Sequence, residues 1–102
     1  MGRPRTELQT ILENILGTDH VYFQPPTNVT MVYPAIVYQK DWARSGFADN
    51  APYLHTWRYM VTVIDKNPDS LTPEKVAALP MTTYIRHFAV DNLNHDIFDV
   101  YF

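Results

Sequence analysis

The sequence predicts a single α+β domain in the order α-β-β-β-α-β-β, with a mainly antiparallel sheet packed against two helices. Three observations carry that prediction. One apolar stripe at helical spacing opens the chain, runs of β-branched and aromatic residues follow without regular helices between them, and one short helix signal interrupts those runs. At 102 residues, with no repeat, linker or low-complexity tract, residues 1–102 are read as one unit.

Leu8, Ile11, Leu12, Ile15 and Leu16 recur at i, i+3, i+4, i+7 and i+8, which predicts a helix over 6–16. Thr6 and Gln9 match a capping box, and Gly17 suits the left-handed position that closes a helix. The period then changes. His20-Val21-Tyr22-Phe23-Gln24 is a short β-prone run stopped by Pro25-Pro26. Pro34 can open the next strand, where a missing amide matters least. From Ala35 to Trp42 the side chains alternate, with Ile36, Tyr38 and Trp42 on one face and Ala35, Val37 and Gln39 on the other.

Thr56 to Asp65 is a second long strand, and the two form an antiparallel hairpin with a long, aromatic-rich tip. Asn67-Pro68-Asp69-Ser70 ends it. Thr72 as N-cap, Pro73 and Glu74 predict a short helix over 73–79. Thr82 to Val90 reads as a strand, Asp91 to Asn94 as a turn, and Asp96 to Phe102 as a final strand, expected to lie open at an edge of the sheet.

Composition narrows the function classes. The chain has no cysteine, which excludes disulfides, thiolate nucleophiles and cysteine-based metal centres. Eight Lys and Arg against eleven Asp and Glu give a formal charge of -3, a poor balance for gripping phosphate backbones, so no nucleic-acid specificity is expected. The uncharged stretch His20–Gln39 contains three prolines and polar residues, which argues against a membrane span. The basic N-terminus lacks the apolar run of a signal peptide.

No catalytic constellation is expected. Four histidines, His20, His55, His87 and His95, match none of the close-spaced metal motifs. His87 and His95 could approach across the Asp91–Asn94 turn with Asp91 or Asp96 nearby, which is the sharpest enzyme-like arrangement available; half-exposed strand and turn histidines fit the residues better. Ser45 and Ser70 sit in no nucleophile elbow, and three glycines form no phosphate-cradling loop. No cofactor and no metal are expected.

Two Trp, seven Tyr and five Phe are a heavy aromatic load for a domain with two helices to cover its sheet. Phe98, Val100 and Phe102 share one face of the last strand, Ile97 and Tyr101 the other, and both faces are hard to bury at once. Surplus aromatic surface of this kind marks a protein interface. The expected interface residues are Trp42, Arg44, Phe47, Tyr53, Trp57 and Arg58 around the hairpin tip, with Asn94, His95 and Asp99 at the C-terminal end.

Tyr33-Pro34-Ala35-Ile36-Val37-Tyr38, the run from Tyr59 through Val61-Thr62-Val63 to Asn67-Pro68-Asp69-Ser70, Leu79-Pro80 and Asp91-Asn92-Leu93-Asn94-His95 resemble the tail terminator, or tail completion, proteins of long-tailed bacteriophages. The resemblance covers nearly the whole chain. It implies a non-enzymatic virion protein of the tail–neck region, assembled in the bacterial cytoplasm. Such proteins form a hexameric ring that caps the tail tube, ends tube polymerisation and meets the head connector. The implied partners are therefore further copies of this chain, the tail tube protein and a connector or stopper protein. A head-completion or stopper protein of the same neck is the near alternative, and a His/Asp metal-dependent enzyme the distant one.

Overall fold

A computed structural model describes residues 4–26, 28–41 and 58–102. Its elements are α1 (Arg5–Leu16), β1 (Val21–Phe23), β2 (Ala35–Lys40), β3 (Arg58–Asp65), α2 (Thr72–Ala77), β4 (Thr82–Val90) and β5 (Leu93–Tyr101). This is the predicted α-β-β-β-α-β-β order. The strands form one five-stranded sheet in the order β1-β2-β3-β5-β4. β1 runs parallel to β2, and every other pair is antiparallel.

Both helices lie on one face. The core there joins Leu8 and Leu12 of α1 and Val76 of α2 to Val21, Ile36, Tyr38, Tyr59, Val61, Val63, Phe98 and Val100 of the sheet. The alternation along each strand dictates this set: even positions of β2 and β5 and odd positions of β3 face the helices. Full burial of such a side chain contributes about 1.5–3 kcal/mol, so this single layer supplies most of the fold's stability. Tyr59 belongs to it, with its ring centroid 6.0 Å from that of Tyr38.

Helix starts differ from the predicted ones. Pro4 is the N-cap of α1 and makes no side-chain cap bond. Proline's fixed φ is already compatible with helix entry, so α1 begins upstream of Thr6 and the Thr6/Gln9 capping box does not form. Gln9 turns to the sheet instead. Gly17 does close α1, at φ 86. In α2 the N-cap is Leu71 rather than Thr72, and the Ser70 hydroxyl accepts the Thr72 N–H at 3.2 Å.

The C-terminal third carries the main correction. Asp91 and Asn92 adopt φ 54 and 64, the left-handed pair that a two-residue hairpin demands and that Asp and Asn tolerate. The turn therefore shrinks to two residues and β5 starts at Leu93, earlier than the predicted Asp96. The last strand is also not an edge. It lies between β3 and β4, because burying Phe98 and Val100 requires neighbours on both sides and a helix layer above. Among the described residues, the edges are β1 and β4.

Candidate functional site

The sheet face turned away from the helices is only partly covered. Its rows follow from the register: Val37, Thr62, Ile97 and Arg86 lie side by side across four strands, and Ala35, Ile64, His95 and Phe88 form the adjacent row. Ala35 and Ile64 are buried, whereas Val37, Thr62, Ile97, His95 and Phe88 are half-buried and Arg86 is exposed. At the β4–β5 end three side chains stack. The Arg86 guanidinium lies 4.9 Å from the Phe88 ring centroid, and Phe88 stacks on His95 at 4.6 Å with planes 9° apart.

β4 itself is exposed along almost its whole length. Met81, just before it, is 67% exposed; Tyr84, Ile85 and Val90 are 50%, 46% and 50% exposed. A register shift between Tyr84 and Arg86 marks a β-bulge at Ile85. Tyr84 leans back over the sheet, its ring 5.3 Å from Phe98 and its hydroxyl donating to Asp96 at 3.1 Å. Burial and that hydrogen bond raise the Tyr84 pKa above the ordinary tyrosine value.

The opposite edge is closed. Gln9 on α1 donates from Nε2 to the Val21 carbonyl at 3.1 Å and to Glu13 Oε2 at 2.9 Å, while its Oε1 accepts the Tyr38 hydroxyl at 2.5 Å. Arg5 donates to the same Tyr38 oxygen at 2.9 Å and lies 4.3 Å from the Phe23 ring centroid. Burial raises the Tyr38 pKa despite the opposing pull of Arg5.

Of the expected interface residues, Trp42, Arg44, Phe47, Tyr53 and Trp57 lie outside the described residues. Arg58 is 7% exposed and sits between two carboxylates: it pairs with Asp41, and its Nη1 lies 3.3 Å from Asp99 Oδ2. Burial alone would lower its pKa, but the two aspartates outweigh that and raise it. The triad, with the Asp41 N–H donating to the Arg58 carbonyl at 2.7 Å, joins the ends of β2 and β3 to β5. Arg58 and Asp99 are thus paired within the domain. Asn94 is likewise engaged, donating to the Asp65 carbonyl at 3.2 Å. His95 lies on the half-covered face.

His87 and His95 do not converge. The register sets His87 opposite Asp96 and His95 opposite Phe88, so the two imidazoles point to opposite faces of the sheet. His87 meets Asn94 Oδ1 at 3.3 Å. Among the described residues, no group of three or more His, Asp and Glu side chains is placed to hold a metal ion. The residues missed in the sequence are those of β4, Tyr84, Ile85 and Arg86. Their only sequence signal is that Tyr84, Ile85 and Arg86 do not alternate apolar with polar, as a strand with one buried face would.

Among the described residues, the fold and surface define a two-layer α+β domain with one sealed sheet edge, one open edge and a partly bare sheet face. No family model matches the chain, and no curated protein or solved structure matches it.

Proposed function

We propose that this chain is a structural assembly protein of the tail terminator kind. Copies close into a ring on the end of a phage tail tube, halt its growth and offer the other side of the ring to the head connector. The observation that supports this reading most is the division of the sheet. One face and one edge are packed away, while the other face and β4 hold apolar and aromatic side chains in solvent. Uncovered surface of that kind is what subunit contacts use. The resemblance of the Tyr33–Tyr38, Tyr59–Ser70 and Asp91–His95 segments supplies the particular assembly.

The test is native mass spectrometry of the untagged protein, alone and mixed with the tail tube protein of the same genome, with electron microscopy of the mixture. Closed rings, or tubes that stop growing at capped ends, are expected. A monomer that neither caps nor shortens tubes overturns the terminator reading.

A further inference from the structure

We infer that Met81 is a site of reversible oxidation: a peroxide converts its thioether to the sulfoxide, and a thiol-driven reductase restores it. This goes beyond the ring reading and stands whether or not the chain forms rings.

Sulfur chemistry narrows the candidates first. The chain has no cysteine, so methionine thioethers are its only sulfur nucleophiles. Of its four methionines, Met1 lies outside the described residues. Met31 and Met60 are half-buried, and Met60 sits on β3 with Gln39 of β2 and Asp99 of β5 on either side. Met81 is 67% exposed, more than any other large apolar side chain among the described residues. Peroxide therefore needs no opening of the fold to reach it.

The backbone at this position is fixed while the side chain is free. Met81 lies in the left-handed region at φ 56, between Pro80 and the start of β4. A residue other than glycine keeps such a φ only where its surroundings hold it. Here the Met81 carbonyl accepts the Tyr101 N–H at 3.1 Å, which ties the main chain to the end of β5. Oxidation of the thioether thus alters a surface and leaves the packed layer alone.

In the forward step the sulfur lone pair attacks one peroxide oxygen, the O–O bond breaks, and the other oxygen leaves as water. Sulfur is oxidised by the electron pair that the peroxide gains. In the reverse step two thiols become a disulfide and the sulfoxide oxygen leaves as water. The sulfoxide is polar where the thioether was apolar. Met81, Tyr84 and Ile85 are the exposed large apolar residues at this end of β4, so the added oxygen makes the lip of the open edge more polar.

Dilute hydrogen peroxide on the full chain, followed at intervals by peptide mass spectrometry, tests this. Expected is sulfoxide at Met81 several-fold faster than at Met31 or Met60, with an unchanged urea midpoint for the oxidised protein. The two methionine sulfoxide reductases, one for each epimer, should return the Met81 peptide to its original mass with dithiothreitol as reductant. Met81→Leu should remove the fast phase, and Met60→Leu should leave it untouched. Oxidation of Met31 or Met60 as fast as Met81 overturns the inference. So does a fall in the urea midpoint on oxidation of Met81, which would place the thioether in packing. A sulfoxide that the folded chain shields from both reductases overturns it as well. Should Met81→Leu not fold, the order of oxidation among the wild-type peptides decides.

Discussion

The two edges of the sheet face the same physical problem and meet it differently. β1 presents an outward carbonyl at Val21, and α1 supplies Gln9 to accept the role that water or another strand would take. β4 is three times as long and lies at the far side of the sheet. Unpaired edges invite association, so the contrast separates a boundary the fold closes for itself from one it leaves open. Strength follows the same division. Leu8, Leu12 and Val76 are fully buried on the helix side, whereas Ile85 and Val90 remain about half exposed.

Removing the anchor of the closed edge should have the largest effect. Leu12 is fully buried between α1 and the sheet, and Leu12→Ala is expected to cost about 3 kcal/mol through lost burial and a residual cavity. Ile85→Ala on the open edge should stay within about 0.5 kcal/mol. Urea unfolding of both variants checks the difference. Comparable losses would mean that the β4 edge is covered in solution.

Gln9→Ala leaves the anchor in place and removes only the seal. It deprives the Val21 carbonyl of its side-chain donor and the Tyr38 hydroxyl of its acceptor together, for an expected loss of about 1 kcal/mol. Faster amide exchange in β1, with β4 unchanged, is the sharper readout. An unaltered β1 would show that its edge is closed by something other than this side chain.

These contrasts also explain what the sequence disclosed. Periodicity revealed α1, the β2–β3 pairing and the limits of β4, because the Leu8–Leu16 stripe and the β-rich runs Thr56–Asp65 and Thr82–Val90 are local signals. Strand order was not local. Nothing near Asp96–Phe102 states that β3 will pair with it, so the terminal strand was read as an edge when Phe98 and Val100 in fact make it central. The aromatic load pointed to a class of surface, but the tip residues Trp42, Phe47, Tyr53 and Trp57 expected to form it lie outside the described residues. Arg58 and Asp99 look like anchors until the fold places Asp41 beside them. Gln9 looks like a cap until Pro4 starts the helix and frees it to reach Tyr38.

The subtlest readout concerns that tyrosine. Burial raises the pKa of both Tyr38 and Tyr59 above the ordinary tyrosine value, and each lies in the layer under α1. A group whose folded pKa is raised contributes stability that is intact below its unfolded pKa and is lost as pH climbs toward the folded one. The wild-type protein should therefore hold its stability up to about pH 10 and then weaken steadily. Tyr38→Phe removes one of these ionisations, at the cost of an acceptor for Arg5 and a donor to Gln9. At neutral pH it should be less stable by about 1 kcal/mol, but its alkaline decline should be shallower, so the gap narrows above about pH 10. Denaturant midpoints across that range give the answer. Parallel curves would place the Tyr38 hydroxyl in contact with water and break the contrast between a sealed α1–β1 side and an open β4 side at its most sensitive point.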